Sequence, residues 1–218
     1  MNTKNFMEEI MKSNTNEVIT STLLREDAFE LNDEQKIYQI EHHFAQIMKT
    51  LGLDLNDDSL SNTPRRVAKM FVKETFSGLN PINEPEVTLF ENKYDYNRML
   101  VEKNITLFST CEHHFVPIIG KVHVAYFPDK EVIGLSKINR IVQYYAKRPQ
   151  VQERLTIQIA EALKSIFGHD DVAVLIEADH LCVASRGIKD TNSNTVTSSY
   201  SGKFENQNIK QEFLSYVK

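Results

Sequence analysis

Residues 104–127 read NITLFSTCEHHFVPIIGKVHVAYF, two runs rich in β-branched and aromatic residues on either side of the polar insert Cys111-Glu112-His113-His114. Runs of that composition form strands. Pro128-Asp129 supplies a turn after the second run, and Gly120 marks a bulge or bend within it. An ideal strand sends positions i and i+3 to opposite faces, so Cys111 and His114 can meet on one ion only if the chain turns at the motif. The stretch therefore predicts a strand, a turn bearing ligand-type side chains, and a second strand.

Working outward, apolar residues at Ile37, Ile40, Phe44, Ile47, Met48 and Leu51 follow Asn32 at helical spacing and stop at Gly52. A second helix begins at Thr63-Pro64, burying Val67, Met70 and Phe71 and leaving Arg66, Lys69 and Lys73 on its other side. After the hairpin, Ile138, Ile141, Val142 and Tyr145 predict one helix, and Val151, Leu155, Ile159, Leu163 and Phe167 another that ends at Gly168. Arg148-Pro149 separates the two, because the residue before proline avoids helical geometry. Strands are expected at 171–178, 181–185 and 195–204, with a short helix near 207–216. The first 30 residues show only a weak apolar pattern and read as a peripheral helix or arm, residues 31–95 as a helical region, and 96–218 as the main domain. No internal repeat or low-complexity tract is present.

Only two cysteines occur, and both lie close to histidine: Cys111 in the insert, and Cys182 in Asp179-His180-Leu181-Cys182. If the second segment is extended, His180 and Cys182 point the same way. Cys111, His114 and Cys182 offer a metal two thiolates and an imidazole, leaving the fourth position open as in catalytic rather than structural zinc sites. His113 and His180 stand beside that set. The competing readings are buried small hydrophobes with satisfied histidines, or a disulfide, which reducing compartments disfavour.

The chain has 218 residues, with 41% hydrophobic and 25% charged content, enough for one main domain with a full core. No apolar run approaches the roughly 18 residues that span a bilayer, and the first residues lack a secretory apolar segment, so the expected compartment is the cytoplasm. Net charge is −5, but residues 1–60 hold twelve acidic and five basic side chains, leaving a small positive excess on the rest. Lys137, Arg140, Lys147, Arg148 and Arg154 cluster against the single carboxylate Glu153, a patch that can draw in phosphate whatever the global sign or serve only as a solvated helix face. Within it, Ser136 reads as an N-cap, with helix N–H groups and Lys137 and Arg140 available to an anion. Gln152 and Glu153 sit in the first turn after Pro149, where a carboxylate can accept two hydrogen bonds from a guanine edge or simply complement the helix dipole. No aromatic and basic platform for nucleic acid is present.

Four segments together, Ser109-Thr110-Cys111-Glu112-His113-His114-Phe115, Val132 to Arg140, Arg148 to Arg154 and Cys182 to Ile188, resemble GTP cyclohydrolase I, as does Thr63 to Met70. The resemblance runs from about residue 35 to the C-terminus. It implies a tunnelling fold of the α+β class, antiparallel sheet with helix pairs and an N-terminal helical extension. It implies a homo-oligomer, a decamer of two pentamers in bacterial-type members. Active sites would lie between subunits, so that Arg66 can serve a neighbour's substrate. Zinc would be held by Cys111, His114 and Cys182. The implied reaction converts GTP and water to 7,8-dihydroneopterin triphosphate and formate, with zinc-activated water attacking C8 of the purine. His113 is assigned to the N7 side and His180 to the ribose ring oxygen, Glu153 with Gln152 to guanine, and Ser136, Lys137, Arg140, Arg186 and Arg66 to the triphosphate, with Lys69 and Glu112 as lesser candidates. Two rivals are another tunnelling-fold pterin or deazapurine enzyme, opposed by the Cys/His/Cys set, and a zinc-stabilised GTP-binding module without turnover, which would need neither His113 nor His180.

Overall fold

In the computed structural model, which describes residues 24–218, the Asn32 side chain accepts the Gln35 N–H and the Gln35 side chain accepts the Asn32 N–H. That reciprocal cap starts helix α1 (Asp33–Thr50), and Gly52, at φ +83°, ends it in the left-handed conformation that glycine adopts without strain. Helix α2 (Thr63–Met70) follows, with Pro64 in its first turn and a π-helical turn, Phe71–Thr75, at its end. Its cap is Asn62, one residue earlier than the sequence reading places it, and Met70 is exposed rather than buried. Ion pairs Arg65–Glu41 and Lys73–Asp33 tie α2 and its extension to α1. Residues 24–84 make up this compact helical unit; residues 85–218 make a second. The N-terminal arm expected over residues 1–30 lies mostly outside the described residues.

The second unit is α+β. Its elements are β1 (Leu89–Glu91), β2 (Leu100–Cys111), β3 (Pro117–Tyr126), β4 (Glu131–Ile133), α3 (Leu135–Ala146), β5 (Pro149–Gln150), α4 (Gln152–Phe167), β6 (Val172–His180), α5 (Leu181–Ala184), β7 (Thr195–Tyr200) and α6 (Gln207–Val217). Five strands pair in the order β5-β2-β3-β6-β7, antiparallel except where β5 runs parallel to β2, and β1 pairs with β4 separately. One sheet face presents Ile105, Leu107, Val122, Val124, Val174 and Ile176 to the apolar stripes of α3 (Ile138, Ile141, Val142) and α4 (Leu155, Ile159, Leu163). Each aliphatic side chain buried there contributes about 1.5–3 kcal/mol. On the other face Ala125, Ala173 and Leu175 pack against Phe204 and Phe213, the latter from α6.

Further expectations shift, among them the strand expected over 195–204, which ends at Tyr200 before a 3-10 turn at Gly202–Glu205. The segment after His180 is not a strand but the short helix α5, closed by Ser185 donating its N–H to the Leu181 carbonyl at 2.8 Å. Five residues are too few for periodicity to separate the two forms. Helix α3 starts at Leu135 behind Gly134, so Ser136 lies inside the first turn and does not cap it. The irregularity in the hairpin falls between Glu102 and Ile105, around Asn104 at φ +60°, and not at Gly120. Gly120 instead faces β6 so closely that an added Cβ would meet the Glu177 carbonyl oxygen at 2.1 Å.

Candidate metal centre and active site

Strand register gathers the chemistry at one end of the sheet. Thr110 at the end of β2 pairs with Pro117 at the start of β3, Ile118 pairs with His180 at the end of β6, Ala178 pairs with Thr195 at the start of β7, and Cys111 pairs with Gln150 of β5. Between β2 and β3 the chain turns tightly: the Cys111 N–H donates to the Val116 carbonyl and the Phe115 N–H to the Cys111 carbonyl, both at 2.9 Å, with Phe115 at φ +52°. That turn carries Glu112, His113 and His114. Cys182 arrives from the first turn of α5.

The ligand atoms of Cys111, His114 and Cys182 lie within 4.8 Å of one another. Cys111 Sγ and His114 Nδ1 are 3.8 Å apart, against an edge of about 3.6 Å for a tetrahedron built from ordinary Zn–S and Zn–N bonds. Two soft sulfurs, one imidazole and spacing of that size fit zinc. Burial first, and then the adjacent Cys111 thiol, hold the Cys182 thiol above its ordinary pKa. A bound dication reverses this by displacing the thiol protons. Arg186 reaches the same place, its Nη1 lying 2.8 Å from His114 Nε2.

His180 is held by Gln152. The Gln152 Nε2 group faces the carbonyl oxygens of Ile176 (3.2 Å) and Thr195 (2.9 Å) and the Thr197 hydroxyl (3.1 Å). Carbonyls only accept, so the amide nitrogen belongs on that side and Oε1 faces His180 Nε2 at 2.8 Å. His180 Nε2 therefore carries a proton and Nδ1 keeps its lone pair. Burial depresses the His180 pKa, opposed by the charges of Glu153 and Asp179, so the ring is neutral near pH 7. Gln152 is 1% exposed, and its amide is engaged inside the protein by His180, Ile176, Thr195 and Thr197. Glu153, next along α4, is exposed.

His113 is also exposed, with Nε2 3.8 Å from Glu112 Oε1. Glu112 forms a short ion pair with Arg154. Glu112, a lesser candidate for the triphosphate in the sequence, thus has its carboxylate paired with Arg154 beside a candidate metal ligand. Sequence reading also passed over Arg154 as one cation among several, since nothing in the linear pattern links it to a residue 42 positions earlier.

Ser136, Lys137 and Arg140 are not brought to this end. Helix α3 runs alongside β2 in the same direction, Asn139 bonding Glu102 at 3.2 Å and Ser109 bonding the Ala146 carbonyl at 2.8 Å. Its C-terminus thus abuts the metal end, and Ser136 lies about 15 Å farther back along the helix. Arg66 and Lys69 are exposed on α2 of the helical unit.

The family model described as GTP cyclohydrolase I matches residues 40–218. A GTP cyclohydrolase 1 from Flavobacterium johnsoniae is 57% identical over 218 residues, covering 100% of this chain and 97% of the relative. Proteins of the same name from Yersinia enterocolitica (56% over 190 residues, 87% of this chain and 86% of the relative) and Enterobacter sp. (54% over 198 residues, 90% and 89%) are similar in the same way.

Proposed function

Because this chain belongs to the GTP cyclohydrolase I family and is an enzyme of that family, we propose that it converts GTP and water to 7,8-dihydroneopterin triphosphate and formate, the entry step of folate-type pterin synthesis. The observation that carries the proposal is the convergence of Cys111, His114 and Cys182 beside a histidine whose tautomer Gln152 fixes. The sheet with its paired helices α3 and α4 is read as a tunnelling fold.

Cys111, His114 and Cys182 would hold zinc, which when bound supplies Lewis acidity that makes water a nucleophile near neutral pH. Glu153 at the start of α4 accepts the N1–H and the exocyclic amino hydrogens of guanine, positioning C8 toward the metal end. His180 presents the Nδ1 lone pair and exchanges a proton there, on the ribose oxygen side, while His113 serves the N7 side as the imidazole ring opens and C8 leaves as formate. Arg186 binds triphosphate oxygens at the same end of the sheet. Ser136, Lys137 and Arg140 lie at the other end of the β2–α3 pair, which supports a site completed across a subunit boundary, one chain supplying metal ligands and a neighbour supplying phosphate cations. A ring-based homo-oligomer, a decamer of two pentamers, provides such boundaries. Arg66, with Lys69 as a lesser candidate, is assigned to the triphosphate from the family resemblance, serving a neighbour's substrate. No helix of the described residues is long and apolar enough to cross a membrane, and the compartment proposed is the cytoplasm.

The test is to incubate zinc-loaded protein with GTP and assay formate alongside the fluorescent pterin formed on oxidation, with chelated protein as control. Equal, metal-dependent yields of both products are expected. GTP binding with full zinc occupancy and no product would make the protein a nucleotide-binding module instead.

A further inference from the structure

The ligand turn is fastened to the start of α4 by a single guanidinium. Arg154, whose side chain is 12% exposed, donates from Nε to Gln150 Oε1 at 3.1 Å, from Nη2 to the Pro149 carbonyl at 2.9 Å, and from Nη2 to Glu112 in the short ion pair. Its partners are themselves fixed. Glu112 donates its N–H to the Gln150 carbonyl at 3.0 Å. Gln150, fully buried, gives its amide hydrogens to the Tyr145 carbonyl (2.9 Å) and Gln158 Oε1 (2.7 Å). The network thus joins the end of α3, strand β5, the first two turns of α4 and the turn between β2 and β3. Glu112 follows ligand Cys111 and precedes His113 and His114, while Arg154 follows Glu153. We infer that Arg154 is a positioning residue that sets the metal ligands and the base-reading carboxylate in one frame, touching neither metal nor substrate. The inference rests on the cyclohydrolase reading for the identity of the substrate.

A guanidinium suits this task because its rigid planar fork holds the three acceptors from two nitrogens in one plane, whereas an ammonium places all its donors on a single tetrahedral nitrogen. Groups that orient metal ligands without binding the metal commonly govern affinity or activity by about 10–100-fold. The experiment compares full-length protein with Arg154→Met, Arg154→Lys and Glu112→Gln. Each is stripped of metal, titrated with Zn2+ against a chromophoric chelator, then assayed zinc-saturated for formate release from GTP. Arg154→Met is expected to bind zinc about 10–100-fold more weakly and, when saturated, to lose about tenfold or more in kcat with KM for GTP changed less than about threefold. Arg154→Lys restores part of both losses, and Glu112→Gln, which keeps an acceptor of the same size, falls between. A lowered melting temperature with wild-type zinc affinity and kcat in Arg154→Met overturns the inference. If that variant does not fold, unchanged zinc affinity in Glu112→Gln overturns it. Wild-type protein that binds zinc but releases no formate would refute the cyclohydrolase reading, and the zinc titrations would still decide whether Arg154 supports the ligand turn.

Discussion

At the scale of single residues, the donor set was legible because both cysteines of the chain stand near histidine, and thiolate and imidazole are the side chains that zinc selects. Supporting residues were not legible, since Gln152 and Arg154 act through partners tens of positions away. Gln152 shows the difficulty: the two carbonyls on its nitrogen side, which turn its oxygen toward His180, lie 24 and 43 positions away in the sequence. Cys182 offers the direct test of the donor set. It is partly buried in a one-turn helix and packs against the edge of the core, where alanine removes only one sulfur, so Cys182→Ala should fold while losing bound zinc and more than about 100-fold in formate release, beyond the cost of removing an orienting group. Metal analysis of the purified variant checks this, and a zinc-replete, active protein would remove Cys182 from the site.

Elements were legible wherever the apolar period was long. The cap at Asn32, the break at Arg148-Pro149 and the stop at Gly168 all fall where local chemistry places them, because each depends on groups within a few residues. Segments that depended on distant packing were misread. The five residues after His180 are apolar up to Ser185 and too few to carry a helical period, yet they coil into α5 once β6 ends beside the ligand turn. Gly120 signals a bulge when seen alone, but it is there because β3 and β6 approach closely, with Ala178 Cβ only 2.5 Å from where a Gly120 side chain would begin. Gly120→Ala should therefore force β3 away from β6 and destabilise the protein by about 1–3 kcal/mol. Because Ile118, two residues away, pairs with His180, the same substitution should also lower kcat. Thermal unfolding and turnover measured on one sample check both, and an unchanged melting temperature would mean the strands part at no cost.

For the whole molecule, the α+β class follows from a strand-rich hairpin ahead of two long amphipathic helices, and the helices cover one sheet face as that pattern demands. The two charged ends of the β2–α3 pair are separated along the helix by about 15 Å, and on the reading proposed above the site that uses both is shared between copies in head-to-tail contact. This arrangement makes a sharp prediction about mixed assemblies. Cys182→Ala subunits keep the phosphate cations but lack the metal set; Lys137→Ala/Arg140→Ala subunits keep the metal set but lack those cations. Each homogeneous protein should be nearly inactive with GTP. Co-expressed with separate affinity tags and purified through both, the mixed oligomer should regain up to about a quarter of wild-type activity, the chance that a metal-competent chain faces a phosphate-competent neighbour. Recovery requires that the two half-sites come from different chains. If doubly tagged oligomers form and stay inactive, each active site is built within one subunit, and Lys137 and Arg140 belong to a solvated helix face.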